Sequence, residues 1–173
     1  DLTSHQELSG KKLQYFDAED NENYVPYVVE TSVGCDRMFL SVLSNSFIEE
    51  SVPDADGGEA TRVVLKIHPV LAPIKCAVLP LVKNKPELVE KARQILNLLK
   101  PNFLCQYDDK DAIGRRYRRQ DAIGTPFCVT VDFETLEDQC VTIRDRDTLV
   151  QERIAIQDVS NYIQEKVNWN NLF

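Results

Sequence analysis

The pattern of apolar and polar positions predicts alternating strands and helices in the second half of the chain. Three short apolar runs, each bounded by turn-forming residues, predict buried strands at 62–67, 75–81 and 103–107. Residues 86–100 begin with proline and keep apolar residues on one helical face, which predicts an amphipathic helix. Residues 110–123 predict a second, basic helix that ends at Gly124.

The same pattern continues to the end of the chain. Residues 127–133 and 140–144 predict a hairpin of two strands around the polar stretch 134–139. Residues 152–156 predict another strand, and 158–167 an amphipathic helix. This order of elements predicts an α/β fold in which helices flank a mixed β-sheet.

The first part of the chain has a different pattern. Residues 13–17 and 24–30, rich in aromatic and β-branched residues, predict a hairpin, and 36–43 predict a helix after Gly34. The acidic stretch 49–59 contains proline and a Gly-Gly pair, which predicts an exposed linker. We therefore expect two regions, 1–60 and 61–173.

Composition and charge narrow the class of protein. The net charge of −8 is uneven, because residues 1–60 carry 13 acids and 3 bases whereas residues 61–173 carry 15 acids and 17 bases. The second region can therefore bind a polyanion. Five scattered cysteines without a CxxC pair favour reduced thiols in a cytoplasmic protein over a metal site. No apolar run approaches the roughly 18 residues that cross a bilayer, and the absence of an initial methionine leads us to expect a piece of a longer protein.

The first candidate site lies at residues 28–37. On a strand, Glu30 and Ser32 would point to the same side, where they can bind an ammonium group. Gly34 permits close approach of a ligand, and Arg37 can contact phosphate oxygens or stack on a base. By residue type alone, a strand end followed by a helix N-terminus, with Asp36 stabilising the helix dipole, is the favoured alternative.

This segment resembles motif 3 of class II aminoacyl-tRNA synthetases, in the Glu-Pro-Ser-x-Gly-x-x-Arg form of the dimeric glycine–tRNA ligases. The similarity extends to 67–69, 71–75 and 113–132, and Thr31 stands where the family has proline. The resemblance implies that five residues bind glycine: Glu30, Thr31, Ser32, Val33 and Gly34. It implies that four contact ATP: Gly34, Cys35, Asp36 and Arg37.

The resemblance also implies an organisation and an activity. Residues 1–60 would be a strand–helix remnant of the antiparallel-sheet catalytic domain, and residues 61–173 the anticodon-binding domain. The parent enzyme would be a homodimer that attaches glycine to tRNA(Gly), using ATP with Mg²⁺. Motifs 1 and 2 are absent from this sequence, so we expect this chain alone to be inactive, with no catalytic residue, metal site or bound cofactor of its own.

The second candidate site is the basic helix. Its arginines (Arg115, Arg116, Arg118 and Arg119) are candidate tRNA contacts, because helical spacing places 115, 118 and 119 on one side, where they match a phosphate backbone. The alternative is a solvated face paired with nearby aspartates, and both remain open. Tyr117 is expected in the core, because Ile113 lies one turn before it. Arg144 and Arg146 can join the surface or form ion pairs across a hairpin.

A rival function is a non-catalytic nucleic-acid-binding module built on the same fold. The presence of Glu30, Ser32 and Arg37 favours the ligase, because such a module has no use for them. His5 and His68 have no nucleophile or carboxylate at catalytic spacing, so we expect structural roles for both.

Overall fold

A computed structural model describes residues 1–53 and 58–172. The chain forms two compact units, Asp1–Met38 and Phe39–Phe173. The first unit opens with helix α1 (Leu2–Ser9), which the sequence did not predict. A hairpin follows, as predicted, with strands β1 (Tyr15–Asp17) and β2 (Glu22–Tyr24), but β2 shares only Tyr24 with the strand predicted over 24–30. The rings of Tyr15 and Tyr24 meet across it, with centroids 5.7 Å apart.

The strand predicted to reach residue 30 ends earlier. Regular structure stops at Tyr24, and residues 25–34 are irregular. A strand is held by hydrogen bonds to a neighbouring strand, and no described strand pairs with 25–30. Helix α2 (Cys35–Ser46) then confirms the helix predicted over 36–43.

The predicted acidic linker is wrong where the structure describes it. Strands β3 (Phe47–Pro53) and β4 (Glu59–Leu65) form an antiparallel hairpin that includes residues 49–53 and 59. Residues 54–57 of the predicted linker lie outside the described residues. Acids that seemed typical of a solvated linker are paired instead, since Glu50 accepts hydrogen bonds from both Arg62 and Lys66.

A mixed five-stranded sheet is the centre of the second unit, as predicted. Its strands in chain order are β5 (Cys76–Pro80), β6 (Cys105–Tyr107), β7 (Phe127–Val131), β8 (Cys140–Asp145) and β9 (Gln151–Ala155). Their order across the sheet is β6-β5-β7-β8-β9, parallel among β6, β5 and β7 and antiparallel beyond β7. The helices are α3 (Pro86–Leu99), α4 (Ile113–Ile123), α5 (Thr135–Asp138) and α6 (Val159–Lys166).

Helices cover both faces of this sheet. Buried residues of α3 and α6, among them Leu88, Ile95 and Ile163, share one apolar core with strands β5, β7 and β8. On the other face α4 packs through Ile113 and Tyr117. The helix ends at Gly124 as predicted; its φ is 84°, and an added Cβ would lie only 3.1 Å from the carbonyl oxygen of Leu65.

The five cysteines all lie in the described residues and are free thiols. Cys76 and Cys128 are buried in the sheet, Cys105 and Cys140 are half-buried, and Cys35 is exposed. Burial raises the pKa of Cys128 to about 12, so its thiol stays protonated and packs as a small apolar group. Among the described helices, none is both long enough and apolar enough to cross a bilayer.

Candidate functional site

The motif segment at residues 30–37 is exposed along its whole length. Gly34 accepts the first hydrogen bond of α2, from the amide of Met38 at 3.0 Å. The Arg37 side chain folds back toward Gly34, so that a Cβ added there would lie 3.8 Å from its Cγ and Cδ atoms. Glu30 and Ser32 do not lie on a strand, so strand alternation does not place their side chains on one side.

Arg116, one of the four predicted tRNA contacts, is not on the surface. Its side chain is only 2% exposed, and its guanidinium donates to backbone carbonyls at three positions. The acceptors are the oxygens of Pro80, Lys110 (3.2 Å) and Asp111 (2.7 and 3.0 Å). These bonds tie the start of α4 to the end of β5, and we therefore leave Arg116 out of the proposed RNA surface.

Arg119 is held by aspartates, as the solvated-face alternative expected. Its guanidinium pairs with Asp108 at 2.9 Å and with Asp111 at 2.8 Å. The hydrogen bond from Arg119 lowers the pKa of Asp111 the most, and the nearby charges of Arg115 and Lys83 lower it further. Asp111 is therefore an exposed carboxylate that pairs with Arg119 and also feels the positive charges of Arg115 and Lys83.

Arg115 and Arg118 remain available to a ligand. Both are exposed on α4, and within the described residues no hydrogen bond or ion pair engages either guanidinium. Tyr117 lies between them but faces inward, as predicted. Its hydroxyl is 2.6 Å from that of Thr130, and Arg144 lies over its ring.

A buried cluster of charges that the sequence did not predict is centred on Asp121 of α4. Asp121 is 1% exposed and pairs with Arg62 at 2.9 Å and with Arg144 at 2.8 Å. Arg146, also 1% exposed, donates to the carbonyls of Gly124 and Ile67 at 2.7 Å each. Of the alternatives left open for Arg144 and Arg146, the structure favours internal pairing: Arg144 pairs with Asp121 on α4, and Arg146 pairs with the adjacent Asp147 at 2.8 Å rather than across the hairpin.

Charged residues of both signs follow the carboxyl ends of the parallel strands, among them Lys83 after β5 and Asp108 after β6. A cleft of about 300 Å³ opens there, and its lining includes Lys83, Asn84 and Asp111. In open α/β sheets ligands bind outside the carboxyl ends of the strands. Lys83 is exposed there, and together with Arg115 and Arg118 it forms what we call the basic surface. Lys83 could have been identified as a candidate ligand contact from the sequence, because it closely follows the strand predicted at 75–81.

Residues 75–166, which include the basic surface and the whole mixed sheet, match the family model described as "Anticodon binding domain". This chain belongs to the anticodon-binding domain family. The basic surface therefore lies on an anticodon-binding domain, and the hairpin of β3 and β4 precedes the matched residues.

Longer proteins match almost the whole chain, including the segment before the anticodon-binding domain. The chain is 50% identical over 167 residues to the glycine–tRNA ligase of Thermobifida fusca, and the alignment covers 96% of this chain and 36% of that protein. It is 52% identical to the glycine–tRNA ligase of Chlorobaculum tepidum, again over 96% of this chain and 34% of that protein. The chain thus spans about a third of the length of these curated relatives.

Candidate metal ligands do not cluster around the anticodon-binding domain. Over residues 1–53 and 58–172, no group of three or more histidine, cysteine, aspartate or glutamate side chains is arranged to hold a metal ion. His68, which precedes the matched domain, has a local role, since its Nδ1 accepts a hydrogen bond from the amide of Val70 at 3.3 Å.

Proposed function

We propose that this chain is the C-terminal part of a glycine–tRNA ligase and that it binds the anticodon region of tRNA(Gly). The observation that carries the proposal is the extent of the similarity. Identity of about 50% over 96% of the chain includes residues 30–37 as well as the anticodon-binding domain. A non-catalytic module would require only the domain, so this extent favours the ligase over the rival function.

In the whole enzyme, residues 30–34 would hold glycine and residues 34–37 would contact ATP. The polar groups of this segment suit these ligands. The Glu30 carboxylate and the Ser32 hydroxyl can accept hydrogen bonds from an ammonium group, and the Arg37 guanidinium can donate to phosphate. All three side chains are exposed, so the rest of the longer protein would have to complete the pocket. Mg²⁺ would accompany the ATP, and we expect the whole enzyme to be a cytoplasmic homodimer.

This proposal makes a prediction about activity. The 173-residue chain alone should form no glycyl-adenylate, because an exposed segment can neither exclude water nor orient both substrates. Glycine-dependent ATP–pyrophosphate exchange should stay at background, while the full-length Thermobifida fusca ligase serves as the positive control. Turnover clearly above background would contradict the prediction.

RNA binding is the part of the function that this chain should retain. We predict that Arg115→Ala with Arg118→Ala weakens binding of tRNA(Gly) roughly tenfold at low salt, because each exposed guanidinium replaces counterions on the phosphate backbone. The slope of log affinity against log salt should also fall by about 0.7–0.9 per lost contact. Filter binding or fluorescence anisotropy across a salt series measures both quantities.

A matched control separates this effect from loss of charge in general. Lys11→Ala with Lys12→Ala removes two exposed positive charges from the first unit and should leave the affinity and its salt slope unchanged. Equal losses in the two double variants would mean that α4 is not the contact surface.

A further inference from the structure

Two cysteine thiols meet at the amino ends of the parallel strands, away from the basic surface. Cys76 is the first residue of β5 and Cys105 the first residue of β6, and the two are partners in the strand register. Both side chains lie on the same face of the sheet, against the main apolar core. Their sulfur atoms are 3.3 Å apart. The function described so far does not use this pair.

The backbone around the two cysteines already has the spacing of a disulfide. Neighbouring strands lie about 4.7–4.9 Å apart, within the roughly 4.4–6.8 Å that separates the Cα atoms of bridged cysteines. Closing the sulfur–sulfur distance from 3.3 Å to the bond length of about 2.05 Å requires a movement of only about 1.3 Å. Strand β6 is at the edge of the sheet and only three residues long, so a small shift of Cys105 disturbs little else.

The two thiols differ in exposure and in acidity. Cys76 is fully buried, whereas Cys105 is half-buried and therefore partly open to a small solute. The hydrogen bond that the Cys76 thiol donates to Cys105 lowers the pKa of Cys105 against the opposing effect of burial, and the charge of Lys100 lowers it further. The same hydrogen bond, together with burial, raises the pKa of Cys76. The reactive thiolate therefore forms on the sulfur that an oxidant can reach.

We propose that Cys76 and Cys105 form a redox modification site, in which a hydroperoxide such as hydrogen peroxide oxidises Cys105 and Cys76 converts the product into a reversible disulfide. The Cys105 thiolate attacks one peroxide oxygen, the O–O bond breaks, and the leaving hydroxide takes up a proton to become water. Cys105 is then a sulfenic acid. The Cys76 sulfur attacks the Cys105 sulfur, the S–O bond breaks, and hydroxide leaves with the Cys76 proton as a second water. The two thiols thus supply the two electrons that reduce the peroxide.

The buried thiol protects the more exposed one in this scheme. A sulfenic acid that meets no thiol is oxidised further to sulfinic and sulfonic acids, which thiol reductants do not restore. With Cys76 only 3.3 Å away, Cys105 is diverted into a disulfide, which thiol–disulfide exchange can reverse. The inference goes beyond the proposed function and does not depend on it, because neither RNA nor the motif segment takes part.

The test exposes the full 173-residue chain to hydrogen peroxide at low protein concentration, with Cys35→Ser to remove the exposed thiol. Peptide mapping by mass spectrometry should find Cys76 linked to Cys105, and dithiothreitol should restore both thiols. With Cys76→Ala added, Cys105 should instead react with dimedone as a sulfenic acid. On longer exposure it should gain further oxygen atoms that dithiothreitol does not remove. Cys140→Ser is the matched control, because Cys140 is also half-buried but lies on β8, two strands from β5, so the link should still form.

The outcomes that contradict the proposal are specific. Links among other cysteines would overturn it, as would a pair that stays reduced while Cys35 of the unsubstituted chain becomes oxidised. If the link forms but Cys105 of the Cys76→Ala variant is restored by dithiothreitol as fully as in its parent, the protective role is wrong. Should Cys76→Ala lose its cooperative thermal transition, Cys76→Val replaces it, because valine fills the buried volume and favours a strand.

Discussion

Replacing Asp121 with asparagine is expected to lower the free energy of unfolding by about 3–5 kcal/mol. The Asp121 carboxylate is 1% exposed and accepts from Arg62 at 2.9 Å and from Arg144 at 2.8 and 3.0 Å. The substitution keeps the volume but leaves two buried guanidinium groups without a shared counter-charge, and its amide nitrogen would face their N–H donors. Denaturant unfolding at neutral pH measures the loss.

Asp111→Asn is the matched control for this prediction. It also removes the carboxylate of an aspartate–arginine pair, but Asp111 is 48% exposed, so water replaces the lost partner. Its unfolding free energy should equal that of the unchanged protein within error. A loss below about 1 kcal/mol for Asp121→Asn would show that solvent reaches the cluster and that the pairing is not a buried one.

The second large effect is expected at Arg116. Arg116→Met keeps a long apolar stem but removes the guanidinium that donates to the carbonyls of Pro80, Lys110 and Asp111. Hydrogen bonds from a buried charged group are worth about 1.5–3 kcal/mol each. We therefore expect stability to fall by about 3 kcal/mol, while the affinity of the folded fraction for RNA stays unchanged.

At the neighbouring position, we expect Arg115→Met to have the opposite effects on stability and RNA affinity. The Arg115 guanidinium is exposed and makes no hydrogen bond or ion pair within the described residues, although its charge acts on the exposed Asp111. Thermal stability should therefore change little while RNA affinity falls. Comparing the two variants by thermal unfolding and by RNA binding separates a structural arginine from a binding one. Weaker RNA binding by fully folded Arg116→Met would contradict our reassignment of that residue.

Local patterns in the sequence were sufficient to predict most of the strands and helices of the second unit. The strands and helices from β5 to α6 follow from apolar periodicity and from turn residues, both of which act over a few positions. The prediction that Arg116 contacts tRNA was wrong, although the same kind of pattern indicates its burial. Spacing of three and four from Ile113 through Gln120 places Arg116 on the inner side of α4.

Other features depended on contacts between distant parts of the chain. Arg62 and Asp121 lie 59 residues apart, and no local pattern brings them together. The hairpin of β3 and β4 was missed because its acids resemble a solvated linker, although Glu50 is paired with Arg62 and Lys66. Conversely, residues 25–30 carry a strand-like composition without a described neighbour to pair with.

The pairing of Arg62 has a consequence for how this domain can move between proteins in evolution. The family match begins at residue 75, after the hairpin, yet Arg62 shares Asp121 with Arg144, and Ile67 accepts from Arg146. A gene rearrangement that carried only 75–166 would leave Asp121 with Arg144 but without Arg62, and Arg146 without the carbonyl of Ile67. A segment that keeps these buried contacts intact is therefore longer than 75–166 and includes β4.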